Sequence, residues 1–569
     1  MPTPVYKRIL ELLEAEGINT LFGIPDPSFF HMFPEAESRG WRVVAPHHEE
    51  AGGFMAEAMW RMTGKPGVVV GNQGPGVANL LPAALCAAKE NSPTIFIGGQ
   101  RQRISEHRVR RGRIQFIEQT PHVQSMMKYV GVIEYAEQTD EIFHEAFRRA
   151  LTGKPGPVYI EFPMHVVLTE HEFGPAPAPS TYRMVHQPAS APGIDQAVDL
   201  LRGARQPIVL LGQGAFQARA HDAVLDLVEA LGCPLVRTSG ATSFIPELEE
   251  RTFDYGFSPA GVAAVRESDV VLAIGTELGE PVHYGRASHW ADGDKDRKWI
   301  LVEMDVTAIG VNRPIDVPLV GDLRDIIPQL TTAIGDNKRK PTPKLAEWIK
   351  LQAEYRSKII ESVPEPSVPI HPALCAFEAT KAIPQDAVYV RDGGATTIYG
   401  WTYSQARPRD LVWNQNFGHL GTGIPYAIGA QLAAGPKRRV VLMSSDSAFL
   451  FHISELETAV RKKLPIVCVV ACDFAWGLEV IGYRGTFGNQ SPETEAHWGP
   501  VRLDKIAEGF GAHGEFVERA EDIGPAIERA LESGKAAVVQ VLVDPDANAS
   551  LTLPGFEEFV TWYQDYGYE

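Results

Sequence analysis

Two aspartates frame the stretch VVLMSSDSAFLFHISELETAVRKKLPIVCVVACDFAWG, residues 440–477. Asp446 and Asp473 each follow an apolar run that reads as a buried strand, with a helix between them. Ligands of parallel α/β sheets bind at the carboxyl ends of strands, which is where both carboxylates fall. Two hard oxygen ligands with room for phosphate oxygens suit Mg²⁺ or Ca²⁺. The small polar run SSDSA lets backbone N–H groups approach an anion, and a helix expected from about Phe449 aims its positive end there. The same residues also admit a structural use, with Asp446 capping the helix and Asp473 opening a turn.

Placing such an edge needs α/β architecture, and the rest of the chain supplies the pattern. Short apolar runs alternate with helical patterns along all 569 residues, too many for one core. The expected fold class is α/β with three doubly wound parallel-sheet domains. Residues 1–165 form the first, 166–190 a Pro/Ala-rich linker, 191–335 the second, 336–345 another linker and 346–545 the third. An aromatic, acidic tail at 546–569 either docks on its own domain or covers a cleft. GQGAFQA, after the first strand of the second block, resembles part of a dinucleotide loop but lacks the third glycine, a weak signal for nicotinamide binding.

The net charge of −18 argues against nucleic-acid binding, which needs clustered cations. RQRISEHRVRRGR, with Arg101, Arg103, Arg108, Arg110, Arg111 and Arg113, is a local exception. The five cysteines are scattered in mostly apolar context and read as reduced, buried thiols. The opening MPTPVYKRILELLEAEG reads as an amphipathic helix, not a secretion signal, and no apolar run has membrane-spanning length, so a cytoplasmic protein without membrane association is expected.

The 440–477 stretch resembles the diphosphate- and metal-binding motif of thiamine diphosphate enzymes, Gly-Asp-Gly followed after a helix and a strand by Asn-Asn. Ser445 and Ser447 stand where the glycines belong, and Cys472–Asp473 replaces Asn-Asn. The resemblance implies that Asp446, Asp473 and the carbonyl of Ala475 bind Mg²⁺ or Ca²⁺, with Ser447 and Ala448 at the diphosphate. HHEEAGGFMAEAMWRMTGKPG, residues 47–67, resembles the family's pyrimidine-domain signature and places the coenzyme-activating acid on Glu49, with Glu50 its neighbour. Such an acid promotes the imino tautomer that deprotonates the coenzyme's reactive carbon. NQGPGVANL resembles the phosphate-side loop, with Gln73 in its serine position. NFGHLGTGIPYAIGAQLA resembles the segment that bends the coenzyme, with Leu420 as wedge and the Gly418 carbonyl as acceptor, and RDGGATT brings Gly394 and Ala395 to the diphosphate.

The resemblance covers the chain as pyrimidine-binding, central and diphosphate-binding domains. It implies a homodimer or dimer of dimers, with each site between two chains. Within the superfamily the sequence resembles the acetolactate synthase, benzoylformate decarboxylase, oxalyl-CoA decarboxylase and 2-hydroxyacyl-CoA lyase group. FIEQTPHV resembles a segment placing Glu118 or Gln119 near the reactive carbon, with His122 close by. Glu479, six residues after Asp473, matches the active-site glutamate of simple 2-oxo-acid decarboxylases. GNQSPETEAHWGP adds Glu493, Glu495 and His497, with Glu493 the candidate acid–base residue. Arg101 and Arg103 suit an anionic substrate, since guanidinium forks bind phosphates. The expected order is cleavage of a 2-hydroxyacyl-CoA to a carbonyl compound and formyl-CoA, then decarboxylation of a free 2-oxo acid, then acetolactate-type carboligation. A non-catalytic homologue is the alternative of another class, and FAD in the central domain is left open.

Overall fold

Every strand pairing in the three large sheets is parallel, and each of these sheets has six strands. The computed structural model describes residues 2–103, 112–286, 290, 296–335, 338–548 and 553–554. β1 (Thr3–Pro4) stands apart and pairs antiparallel with β8 (Glu170–His171), so the expected first linker clasps the chain's start. The first sheet holds β2 (Thr20–Gly23), β3 (Arg42–Val44), β4 (Val68–Gly71), β5 (Ile95–Gln100), β6 (Tyr129–Val132) and β7 (Val158–Pro163), ordered β3-β2-β4-β5-β7-β6. The central strands β2, β4, β5 and β7 are buried at every residue, which is why they read as continuous apolar runs without alternation.

The second sheet is built from β9 (Pro207–Leu211), β10 (Leu235–Arg237), β11 (Thr252–Asp254), β12 (Val270–Ile274), β13 (Lys298–Glu303) and β14 (Val317–Val320). Its order, β11-β10-β9-β12-β13-β14, reverses direction between β9 and β12. The third sheet comprises β15 (Val388–Arg391), β16 (Leu411–Val412), β17 (Val440–Ser445), β18 (Ile466–Cys472), β19 (His513–Val517) and β20 (Ala537–Leu542), ordered β16-β15-β17-β18-β20-β19.

One core joins the first and third domains. The helix Glu49–Thr63 lies against the helix Gly423–Ala434, and Phe54, Met55 and Ala58 share a cluster with Tyr426, Ala427 and Ile428. A Cβ at Gly429 would stand 2.3 Å from the Met55 carbonyl oxygen, so only glycine permits this approach. The second domain has its own cores. The helix Pro343–Glu361 starts within the second expected linker and bridges domains. Leu345 and Trp348 bury in the second domain's core, and Ile359 buries in the third's. All five cysteines are unpaired and buried. Among the described residues, no helix is long and apolar enough to cross a membrane.

Candidate active site

β17 and β18 run in register to their carboxyl ends, with Ser445 beside Ala471, so Asp446 and Asp473 emerge together past the sheet edge. The helix after β17 begins at Asp446, three residues before the expected start, and Ser445 is its cap, its hydroxyl accepting from the Ala448 N–H at 3.5 Å. The Asp446 carboxylate instead accepts from the N–H groups of Ser447 and Phe474, both at 2.9 Å. Asp473 accepts from the Ala475 N–H at 3.2 Å. Both carboxyls are buried, at 1% and 8% exposure. Burial first, and the adjoining Asp473 second, push the Asp446 carboxyl well above the usual carboxylate range. Two buried acids side by side hold a proton between them unless a cation takes its place, so this pair fits a divalent metal. Between Asp473 and Ala475, Phe474 has φ +54°, a strained conformation for a bulky residue at the point where the chain turns back.

β15 adds the next part of the cradle. Asp392, buried directly after it, accepts N–H donations from Gly393 at 2.8 Å, Gly423 at 2.7 Å and Gly421 at 3.3 Å, which ties the RDGG loop to the wedge segment. Gly393 has φ +99°, and a Cβ there would lie 2.5 Å from the Ser445 hydroxyl. The helix Ala395–Tyr403 therefore begins beside the start of the helix Asp446–Phe449. Two helix N-termini converge on one crevice, an arrangement that suits a diphosphate. Leu420 is half-buried and Gly418 is exposed with φ +67°.

The first domain holds the wedge loop of its own chain. Glu90 accepts from the Phe417 N–H at 2.9 Å and pairs with Arg61, which also pairs with Glu57. Glu50 pairs with His419 Nε2 at 3.2 Å and lies 3.7 Å from His452 Nε2. Burial opposes the charge on Glu50, but hydrogen bonds from His419 and His452 outweigh it and hold the carboxyl down at about 2. Glu49 is one residue earlier and so about 100° away around the helix. It is buried, and its carboxylate accepts from Asn79 Nδ2 at 2.9 Å. Nearby Asn72 Oδ1 and Gln73 Oε1 are buried without a hydrogen-bond partner among the described residues, so this edge of the first domain is a surface with unmet polar groups. A Cβ at Gly76 would strike Asn72 Oδ1 at 2.1 Å and approach Glu49 Oε1 at 3.0 Å.

Other candidates separate by geometry. Gln119 is 1% exposed and wholly engaged. Its Nε2 donates to Glu161 at 2.7 Å, and to Gly99 O and the Tyr159 hydroxyl at 3.1 Å, while its Oε1 accepts from the Gly74 N–H at 2.6 Å. It is a strut for the phosphate-side loop, and its neighbours Glu118 and His122 are exposed. Arg103 pairs with Glu134 at 3.1 Å, and Arg101 donates to the Ile114 carbonyl. Arg108, Arg110 and Arg111 lie outside the described residues, as does the tail beyond residue 554. Glu479 is exposed at the start of the helix Gly477–Phe487. Glu493 pairs with Arg484 and with His497 Nε2, both at 2.7 Å, and the Arg484 and His497 hydrogen bonds hold its carboxyl down at about 2. A carboxylate so stabilised is a weak base at neutral pH, which counts against the acid–base role expected of it.

Sequence reasoning did not single out Asp392, Asn79, His419 or His452. Their partners come from other segments, and only the Asp-Gly-Gly of the RDGG loop hinted at a tight turn. In the second domain, Gly212, Gly214 and Gly275 meet at the β9/β12 reversal, where a Cβ on Gly212 would sit 2.1 Å from the Gly275 carbonyl. They open onto a cavity of about 610 Å³ that reaches Glu303 at the end of β13.

Comparison with known proteins follows this geometry domain by domain. Residues 4–126 match the thiamine pyrophosphate enzyme N-terminal TPP binding domain, 194–330 the central domain and 392–541 the C-terminal TPP binding domain. An acetolactate synthase large subunit of Mycobacterium tuberculosis is 28% identical over 540 residues, 94% of this chain and 95% of that one. A 2-hydroxyacyl-CoA lyase of Arabidopsis thaliana is 28% identical over 569 residues, covering 95% and 96%. A sulfoacetaldehyde acetyltransferase of Alcaligenes xylosoxydans xylosoxydans is 26% identical over 601 residues, covering 98% and 96%. With all three domains matched in order, the chain belongs to the thiamine pyrophosphate enzymes.

Proposed function

We propose that this protein is a thiamine diphosphate- and divalent-metal-dependent carbon–carbon lyase whose sites lie between the two chains of a homodimer. The observation that carries the reading is the pair of buried, adjoining carboxylates Asp446 and Asp473 beside the Gly393–Ser445 crevice. In this reading Asp446, Asp473 and the Ala475 carbonyl hold Mg²⁺ or Ca²⁺, and the backbone at Gly394, Ala395, Ser447 and Ala448 receives the diphosphate. Leu420 and Gly418 meet the rings. Bound thiamine diphosphate supplies a carbon nucleophile and an electron sink. Glu49 is assigned to the coenzyme held by the partner, because Glu50, on another side of the same helix, is already committed to its own chain's His419.

The preferred reaction cleaves a 2-hydroxyacyl-CoA to a carbonyl compound and formyl-CoA. The substrate hydroxyl loses a proton, the bond between the hydroxyl-bearing carbon and the thioester carbon breaks, and the latter carbon gains a proton. Exposed Glu118 and Glu479 suit this proton traffic better than Gln119 or Glu493, whose side chains are engaged. The likeness to a 2-hydroxyacyl-CoA lyase supports this reading. The equal likeness to an acetolactate synthase favours a second one, decarboxylation of a free 2-oxo acid or acetolactate-type carboligation. The cavity over β9 and β12 is proposed for a nucleotide-bearing group, and the visible spectrum of purified protein tests for flavin.

A screen of CoA thioesters against free 2-oxo acids with coenzyme- and Mg²⁺-loaded protein, read by mass spectrometry, separates the reactions. Aldehyde or ketone together with formyl-CoA is expected. CO₂ release from pyruvate or benzoylformate, with no thioester turnover, transfers the assignment to the decarboxylase. Calorimetry showing no coenzyme uptake with either Mg²⁺ or Ca²⁺ removes the whole reading.

A further inference from the structure

Where the second domain, the bridging helix Pro343–Glu361 and the third domain meet, they enclose a cleft of about 280 Å³ that neither the metal pair nor the central cavity accounts for. Four guanidinium groups line it, from Arg237 at the end of β10, Arg356 on the bridging helix, Arg391 at the end of β15, and Arg407. Among the described residues, two carboxylates face them. Asp254 pairs with Arg237 at 2.6 Å, and a single oxygen of Glu249 serves both Arg356 at 3.2 Å and Arg407 at 3.1 Å. The described lining therefore carries a formal excess of two positive charges.

A guanidinium buried as deeply as that of Arg391 costs free energy unless an anion answers it. Arg391 is 5% exposed; its Nη2 donates to the Gly400 carbonyl at 3.2 Å, and its Nε has no hydrogen-bond partner among the described residues. Gln352, also 5% exposed and lining the cleft, has its Oε1 unpartnered in the same way. Burial, with Arg237 nearby, presses Arg391 below its ordinary range, and burial with Arg356 nearby does the same to Arg407. The forks are also held in place. Arg237 and Arg407 both lie over the Phe244 ring, at 3.9 and 5.2 Å from its centre. Preorganised guanidinium groups in excess of their acids are the chemistry that recognises a phosphate dianion.

We propose that this cleft is a second ligand site, which takes the phosphate of a phosphorylated small molecule. The site stands on its own residues and does not depend on the lyase reading. The phosphate has two sources, the nucleotide end of a thioester substrate or a separate phosphorylated effector.

The test titrates full-length protein, loaded with coenzyme and Mg²⁺, with inorganic phosphate and with ADP by calorimetry. Wild type is compared with Arg356→Glu, a change at a partly exposed helix position remote from the metal pair; Arg356→Gln is the milder variant should reversal upset folding. ADP binds the wild type, and the variant weakens it about tenfold or more, as loss of a charge-assisted hydrogen bond requires, with the ligand-free melting temperature held. A rise in KM for a CoA thioester with kcat unchanged assigns the phosphate to the substrate, whereas weaker ADP binding at constant KM assigns it to an effector. The proposal is overturned if neither phosphate nor ADP binds wild type, or if the variant binds as wild type does, which would move ADP to the central cavity.

Discussion

The first and third domains share one topology, the strands of each running 2-1-3-4-6-5 across the sheet, yet their carboxyl edges differ in chemistry. In the third domain β15, β17 and β18 are each followed by an aspartate (Asp392, Asp446 and, after Cys472, Asp473), and all three are buried. At the matching places the first domain has Ile24, Asn72 and Arg101 after β2, β4 and β5. On that edge the buried acid Glu49 opens the helix after β3. A shared fold thus supplies the crevice twice, and the side chains decide which copy concentrates negative charge. The second sheet, with its direction reversal between β9 and β12, lines its crevice with glycine backbone and has no such pair of acids among the described residues.

That contrast is most sharply broken at the metal pair. Asp446→Ala or Asp473→Ala is expected to abolish coenzyme uptake and lower turnover by about 10³-fold or more, the scale of losing a metal's charge stabilisation. Calorimetry with Mg²⁺ and steady-state rates measure both. Glu49→Gln, on the neutral edge, is expected to keep coenzyme binding and lose about 10²–10⁴ in kcat, as for a missing general acid–base group. Mixing Glu49→Gln and Asp446→Ala chains one to one sharpens the interface assignment. Heterodimers rebuild one intact site, so about a quarter of wild-type activity returns if sites are shared across a two-fold interface, and none returns if each chain is self-sufficient.

A smaller effect belongs to the seam between the two domains. Gly429→Ala forces the paired helices apart and is expected to cost about 1–3 kcal/mol, visible as a lower denaturant midpoint with the metal site intact. The least effect is that of Glu50→Gln, about 1 kcal/mol, and it depends on pH. Glu50 is depressed from 4.5 to about 2, so its contribution is present above 4.5 and fades as pH falls toward 2. His419 and His452 are raised from 6.5, so theirs is full below 6.5 and fades as pH climbs through the raised values. The wild-type advantage in melting temperature should therefore peak between pH 4.5 and 6.5; a flat difference across pH would show that the cluster does not clamp the wedge loop.

Much of this was legible in the chain because it is local. Buried parallel strands announce themselves as short apolar runs, and the Asp446–Asp473 spacing across one strand–helix–strand unit brings both to one edge by register alone. Gln119 shows the limit: its neighbours in sequence suggested chemistry, but Glu161, Tyr159 and Gly74 make it a strut. Glu493 is of the same kind, since its pairing with Arg484 and His497 is not readable from its own segment's pattern.

From the residues alone came the class of fold and the two strand-end aspartates, set by periodicity and short-range spacing, whereas Glu49 was singled out by the family resemblance of residues 47–67. Only the tertiary structure decided that Glu50 clamps the chain's own wedge loop, that Asp392 ties two loops together, and that four arginines from distant segments enclose one cleft. Those outcomes depend on which faces meet and how deeply they are buried, and both burial and the charge that survives it are properties of the packed molecule.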